Sequence, residues 1–170
     1  YRHSKAWAEK QYVFFSIIFD EPIVSFETNE ESKGKKAALY FGKGKTLKIK
    51  VALSAVDEEG AKANQGEIDH WNFGFVKEKS KQIWNDQLSK IEVEGGSEKK
   101  KRVFYSALYH TMIAPNLYHD IDGRYRGTDL EVHEDKSFTN YTVFSLWDTY
   151  RSAHPLYTIL EQDRTNDFIN

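Results

Sequence analysis

Cysteine is absent from the 170 residues, so the fold has no disulfide framework and its stability must come from packing. No apolar run approaches the roughly 20 residues that cross a bilayer, which predicts that no segment spans a membrane. The net charge is only −2, so no overall field attracts nucleic acid or an anionic membrane. The chain is therefore expected to be a globular protein without a nucleic-acid partner.

Methionine occurs once, at Met112, which predicts that residue 1 is not a translation start. Near the other end, Thr165 and Asp167 are typical of the opening of a helix. The chain stops at Asn170, before such a helix could bury an apolar face. We therefore expect both ends to be cut and the chain to be a central fragment of a longer protein.

Aromatic residues are abundant, at 15% of the chain, with 4 Trp, 10 Tyr and 11 Phe. Sugar-binding proteins are often rich in aromatic residues, because a flat ring packs on the apolar face of a pyranose. Large aromatic side chains also fill ordinary cores, where each buries about 150–250 Å². Composition alone favours the core interpretation.

Short runs of aromatic and β-branched residues predict strands at residues 12–19, 23–28, 37–41 and 47–53. The first run is expected to be buried on both faces. In the fourth, Ile49, Val51 and Leu53 alternate with more polar positions, which predicts one apolar face and one wet face. Residues 29–35 are expected to form a polar loop, and residues 42–45 are typical of a hairpin turn. Short loops between strands predict an antiparallel sheet that is part of a β-sandwich.

Helical patterns follow the strands. Acidic residues at 57–59 favour a helix start, and apolar positions from Val76 to Ile91 predict an amphipathic helix. Ser97 is a predicted N-cap for a helix at residues 99–113, which is apolar nearly all round and is expected to be buried on several sides. A second extended run at 141–146 and a helix at 149–161, bent or restarted at Pro155, complete the pattern. We predict a β-rich domain at 1–56, a helical linker at 57–96 and a helical domain at 97–170.

No metal-binding HExxH pattern, CxxC pair, GxSxG elbow or phosphate loop is present. His110 and His119 are interpreted as structural, and the basic run at 99–102 as a solvated helix start. Residues 116–127 place carboxylates, guanidinium groups and rings in one loop, which is where binding residues are often found. A hairpin held by Asp–Arg pairs and Asp-Gly turns explains the same residues equally well.

A second polar segment, at residues 144–156, places Trp147 next to Asp148 where an extended run meets a helix. In sugar binding, a ring packs on the pyranose and a neighbouring carboxylate accepts hydroxyl protons in charge-assisted hydrogen bonds. Arg151, about one turn further on, could hold Asp148 ionised. Asp148 could instead be the N-cap of the helix, since Asp is among the preferred caps.

These segments resemble glycoside hydrolase family ninety-two. The resemblance is carried by Ala-Leu-Tyr-His-Thr-Met-Ile-Ala-Pro-Asn at 107–116, Asp-Gly-Arg-Tyr-Arg-Gly at 122–127, Phe-Ser-Leu-Trp-Asp-Thr-Tyr-Arg at 144–151 and His-Pro-Leu at 154–156. Residues 1–8, 52–64 and 84–96 are similar to the same family. The resemblance therefore runs nearly from end to end.

The resemblance implies an N-terminal β-sandwich, a helical linker and an (α/α)6 barrel, of which this chain would hold the end of the sandwich, the linker and the first barrel helices. It implies a bacterial, calcium-dependent exo-alpha-mannosidase, periplasmic, secreted or on the cell surface, that releases terminal mannose from glycans with inversion. Asp148 would accept a mannose hydroxyl, with Trp147 and Arg151 shaping its surroundings. The catalytic acid and base, and most calcium ligands, are expected beyond Asn170.

A fragment of this kind is expected to be inactive alone and to need the remainder of the enzyme as its partner. The alternative is a non-catalytic carbohydrate-binding β-sandwich module, for which the helices after Ser97 would be surplus. A purely structural interaction domain is a third reading, which the neighbouring Trp147 and Asp148 make less attractive.

Overall fold

The computed structural model describes residues 2–4, 10–31, 34–44 and 46–169. Five strands come first and helices follow, as predicted, but two short strands that were not predicted lie between the third and fourth helices. The strands are β1 (Arg2–Ser4), β2 (Gln11–Phe19), β3 (Ser25–Glu31), β4 (Gly34–Tyr40), β5 (Ile49–Ser54), β6 (Arg124–Arg126) and β7 (Val132–Glu134). The helices are α1 (Glu58–Asn64), α2 (Phe73–Leu88), α3 (Glu98–Thr111), α4 (Leu146–Thr149), α5 (Ala153–Leu160) and α6 (Gln162–Ile169), with a 3-10 turn at Gln65–Glu67.

The first five strands form two antiparallel sheets rather than the predicted single one. One sheet has the order β1-β2-β5, and β3 pairs with β4 in the other. The predicted hairpin at 42–45 is therefore wrong, because this loop connects two sheets; Gly44 does have a positive φ of 78°, and Lys45 lies outside the described residues. Strand pairing depends on distant partners, which loop composition does not reveal.

The β3–β4 hairpin extends into the predicted polar loop at 29–35. Its register runs from Ser25 opposite Tyr40 to Glu31 opposite Gly34. Glu30 and Lys35 face each other, and their side chains are 2.6 Å apart. Opposite charges on facing positions stabilise a strand pair, so polarity here marks an exposed hairpin; residues 32 and 33 are outside the described part of the chain.

The burial of β5 is the reverse of the prediction. Ala52 and Ser54 are buried, at 8% and 5% exposed, whereas Ile49, Val51 and Leu53 are 53–59% exposed. Helix α1 packs over the small residues with Gly60 and Ala61, themselves buried. Small side chains on both elements allow this close approach, and no described element covers the apolar face.

Strand β2 shares this uncovered face, because Phe15 lies opposite Leu53 and Ile17 opposite Val51. Both β2 side chains are more than 40% exposed. The prediction that β2 is buried on both faces is therefore wrong for the described chain. Periodicity identifies an apolar strand, but burial depends on which layers pack against it.

The predicted N-cap at Ser97 is confirmed, and Asp57, predicted only as part of an acidic helix start, is also a cap. The Asp57 carboxylate accepts a hydrogen bond from the Gly60 N–H (2.6 Å), and Ser97 Oγ accepts one from the Lys100 N–H (3.4 Å). Caps satisfy backbone donors that the first helical turn leaves unpaired. Helix α2 overlaps the helix predicted from Val76 to Ile91 but begins three residues earlier, with Asn72 as its N-cap.

Helix α3 is less buried than predicted. Leu108 is buried, while Val103 is 64% exposed. One side of α3 packs on α2 through Trp84 and Tyr109, whose ring centroids are 4.6 Å apart. Phe104 and Tyr105 are half-buried, and Ile113, just after the helix, is 47% exposed.

The C-terminal region differs from the prediction in detail. Residues 141–146 form one isolated bridge, between Leu117 and Tyr141, rather than a strand. The predicted helix at 149–161 corresponds to α5, and α4 precedes it as a separate short helix. Pro155 lies in the first turn of α5, where a missing N–H costs no helical hydrogen bond. Helix α6 begins at Gln162, before the predicted start at Thr165.

Buried contacts fix these last helices. Phe144, Tyr157 and Phe168 form a ring cluster with His154. Glu161, at 9% exposed, pairs with Lys90 at 2.6 Å and so joins the residues after α2 to the turn between α5 and α6. Among the described residues, no helix combines the length and apolar character that crossing a membrane would need.

Candidate functional site

Polar side chains join the end of β5 and helix α1 (residues 54–64) to the start of the β6–β7 hairpin (residues 116–126), and we call these contacts the sheet–hairpin junction. Asp120 is 2% exposed. Its carboxylate accepts hydrogen bonds from Ser54 Oγ (2.7 Å) and Asn64 Nδ2 (2.8 Å). Asn64 Oδ1 accepts one from the Ile121 N–H (2.8 Å). Because a buried carboxylate is costly without partners, Asp120 favours one arrangement of sheet and hairpin.

Arg124 forms the charged part of the junction. Its Nη1 and Nη2 donate to Asp57 Oδ2 (2.7 Å) and Oδ1 (3.3 Å), and its Nε donates to Asp122 Oδ2 (2.7 Å). One guanidinium group thus binds the N-cap of α1 and the hairpin together. A planar, forked donor set makes such contacts to two carboxylates possible.

These contacts shift the acidities of all three groups. The hydrogen bond from Arg124, followed by that from the Gly60 N–H, lowers the pKa of Asp57. Burial raises the pKa of Asp122, but hydrogen bonds from the Arg124 backbone and side chain outweigh it, so the net pKa is lowered. Asp57 and Asp122 in turn raise the pKa of Arg124. The cluster is therefore ionised at neutral pH.

Arg126, at the end of β6, binds the backbone instead. It donates to the carbonyls of Ala55 and Val56 (both 2.8 Å) and of Leu130 (2.7 Å). The first two belong to the chain that leaves β5. Within residues 116–127, the Asp122–Arg124 pair agrees with the hairpin interpretation, and the hairpin itself continues to Glu134.

Two cavities border the junction. One, of about 330 Å³, lies between the sheet end and the hairpin base and is lined by Tyr12, Leu53, Tyr118 and Arg124, among others. The other, of about 500 Å³, runs along β5 from Lys48 to Leu53 and faces Trp71. None of Trp147, Asp148 and Arg151 lines either cavity.

Residues 144–151, here called the tryptophan segment, are largely exposed. Trp147 is 91% exposed. Asp148 lies in the first turn of α4, and its Oδ2 accepts a hydrogen bond from Ser145 Oγ (2.6 Å). Ser145, not Asp148, is the N-cap residue, so the capping interpretation of Asp148 is wrong. The described residues supply no other hydrogen bond to this carboxylate.

Arg151 does not form the expected ion pair with Asp148 in the described part of the chain. Its Nε donates to the hydroxyl of Tyr150 (2.7 Å), and its guanidinium lies 5.5 Å from the centre of that ring. Helix α4 ends at Thr149, so Arg151 is not carried one turn above Asp148. The structure thus places Trp147 and Asp148 together on α4, whereas Arg151 contacts Tyr150 instead of Asp148.

Sequence reasoning missed the long-range partners in the junction. Asp57 carried a signal only as part of an acidic helix start, and Asp120 only as one carboxylate of the polar loop at 116–127. Their partners could not be predicted, because Ser54 and Asn64 lie more than 50 residues from Asp120. Among residues 2–4, 10–31, 34–44 and 46–169, no group of three or more His, Asp or Glu side chains could hold a metal ion. No metal site is assigned to these residues, and no chemical step here involves calcium.

Comparison with known proteins decides the family. A family model of the glycosyl hydrolase family 92 catalytic domain matches residues 60–170. The chain belongs to glycosyl hydrolase family 92. The match covers the tryptophan segment and the hairpin side of the junction, whereas Ser54 and Asp57 precede the matched residues. Comparison with curated protein sequences finds no match.

Solved family 92 structures share the fold. An alpha-mannosidase from Bacteroides thetaiotaomicron, BT3965, is 29% identical, with a TM-score of 0.85 over 97% of this chain. The same enzyme in complex with mannoimidazole gives equal values. The inverting mannosidase BT2199 of that organism is 28% identical, with a TM-score of 0.74 over 86% of the chain. This chain spans about a quarter of the length of these family 92 structures, at 25%, 24% and 22%.

Proposed function

We propose that this family 92 chain works as part of a longer glycosidase that removes terminal alpha-linked mannose from glycans with inversion. The observation that carries the proposal is the family match over 60–170, together with the likeness to alpha-mannosidases over 97% of the chain. One of those enzymes binds mannoimidazole, and another is named as inverting.

In this proposal, the tryptophan segment binds the terminal mannose. Trp147 offers both faces of its indole to a pyranose, since it is 91% exposed. Asp148 uses one carboxylate oxygen for Ser145, which leaves the other to accept sugar hydroxyls. Arg151, held by Tyr150, shapes the neighbouring surface.

The domain division at 1–56, 57–96 and 97–170 belongs to the same proposal, as part of a β-sandwich, a helical linker and the start of an (α/α)6 barrel. The remainder of the longer protein would cover the exposed face of β5 and the exposed side of α3. An inverting glycosidase needs two carboxyl groups about 6.5–9.5 Å apart, and we assign neither to this chain. The chain alone is expected to be inactive.

Calcium dependence and location in the periplasm, outside the cell or on its surface come from the family resemblance alone. In this proposal, most of the calcium ligands lie beyond Asn170.

The decisive experiment incubates the longer protein with a methyl alpha-mannoside or a mannobiose and follows the product by proton NMR. We expect beta-mannose to appear before mutarotation, and a chelator to abolish release until calcium is restored. First appearance of alpha-mannose would contradict inversion, and no release from any linkage would contradict the activity.

Calorimetry of the 170-residue chain with mannosides tests the alternative. Binding by the chain alone would favour a carbohydrate-binding module over a site that needs the rest of the enzyme.

A further inference from the structure

Arg124 joins parts of the chain that are far apart in sequence. Its bidentate partner Asp57 is 67 residues away and caps helix α1, while Asp122 belongs to the hairpin. The Arg124 side chain is 27% exposed, so water screens it only in part. A substitution that removes these contacts is therefore expected to weaken the attachment of the hairpin to the end of the sheet.

The base of the hairpin leads directly to the tryptophan segment. The Tyr118 N–H donates to the Asn140 carbonyl (2.9 Å), and the Thr142 N–H donates to the Asn116 carbonyl (2.8 Å). Two residues after Thr142, Phe144 packs against His154, with ring centroids 4.6 Å apart. A continuous series of paired and packed residues thus runs from the junction to residue 144.

We infer that Arg124 is a positioning residue that sets where Asp148 stands relative to the sheet. The inference depends on the proposed function only for its substrate, mannose. Arg124 touches neither the sugar nor the reacting atoms. It acts by holding the hairpin, and the hairpin base holds the start of the tryptophan segment.

Lysine cannot replace arginine here. A lysine ammonium is a point charge and can approach Asp57 or Asp122, but it lacks the planar fork that serves both. Arg124→Lys keeps the charge and is expected to fold, whereas Arg124→Ala removes all three side-chain contacts. Comparison of the two variants therefore separates the effect of losing the forked geometry from the effect of losing the charge.

Steady-state kinetics of the longer protein test the inference. We expect Arg124→Lys to raise KM for a mannoside about tenfold with kcat within about twofold, because a displaced Asp148 weakens binding in ground and transition states alike. In an Asp148→Asn background, the same change should alter KM by less than twofold, as residues that act through one another are not additive. The matched control is His133→Ala, which removes an exposed pair with Asp129 in the same hairpin and should leave KM unchanged.

A tenfold effect that persists in the Asp148→Asn background would overturn the inference, as would an unchanged KM in Arg124→Lys. Hydrogen exchange gives a readout that needs no activity. Amides of residues 146–150 should exchange faster in Arg124→Lys than in the parent protein. Faster exchange confined to residues 116–126 would also overturn it. If the parent protein releases no mannose yet exchange increases at 146–150, the proposed function fails and the positioning role stands.

Discussion

The sheet–hairpin junction and the tryptophan segment are built in opposite ways. In the junction, Asp57 and Asp120 bind partners 67 and 66 residues distant, and Asp120 is almost fully buried. In the tryptophan segment, Asp148 and Arg151 bind residues three and one positions away, and Trp147 is almost fully exposed to solvent. The first region uses polar groups to hold the fold together. The second leaves polar and aromatic groups free for a ligand, as the proposed function needs.

The sharpest test of this contrast is Asp148→Asn in the longer protein. Loss of the charge weakens hydrogen bonds from sugar hydroxyls that are each worth about 1.5–3 kcal/mol, so kcat/KM for a mannoside should fall about 100-fold. The unfolding temperature should not change, because Asp148 has only a local partner. Asp163→Asn, at an exposed position of α6, is the control. An unchanged kcat/KM would remove Asp148 from the site.

In the junction, by contrast, an increase in side-chain volume should lower the stability of the fold. Gly60→Ala would place a methyl group against the Asp120 carboxylate and the Ser54 hydroxyl. Overpacking of this kind costs about 1–3 kcal/mol, which should lower the unfolding temperature of the longer protein. At Gly66, a Cβ meets no atom within 4 Å, so Gly66→Ala should be neutral. Equal effects at both glycines would contradict the close packing of α1 on β5.

Acid should weaken the junction through its carboxylates. Asp57 has a lowered pKa in the folded state, so its contribution is present above the unfolded value of about 3.9 and is lost as pH falls through the folded pKa. Asp57→Asn keeps the helix cap but removes the charge opposite Arg124. We expect it to cost about 1 kcal/mol at pH 7. The gap in unfolding temperature from the parent protein should close below about pH 4; a gap independent of pH would contradict the ion pair.

The smallest effect is expected at an ion pair in the same helix α1. Lys62 and Glu59 are 2.8 Å apart, but their side chains are 61% and 77% exposed. Exposed pairs contribute little to stability, so Lys62→Gln should leave the unfolding temperature unchanged. A decrease as large as that of Asp57→Asn would show that proximity alone, rather than connection across the junction, gives an ion pair its effect.

Local patterns predicted local structure well. Ser97 was identified as a helix start because a cap acts within three residues, and Asp57 because acidic residues favour the first turn of a helix. Trp147 and Asp148 were identified as a pair because they are adjacent. The predictions failed where the partner is distant: Ile49, Val51 and Leu53 alternate as a core face should, yet α1 covers the opposite face.

The sequence by itself determined strands β2 to β5 and helices α2 and α3 to within about three residues. It also determined where several helices begin and the family to which the chain belongs. Only the tertiary structure decided that Ala52 and Ser54 are the covered face of β5, that Asp120 is buried, and that Arg124 joins α1 to the hairpin. The physical reason is range. Caps and periodicity act over one or two turns of the backbone, whereas burial and ion pairing depend on atoms brought together from more than 50 residues apart.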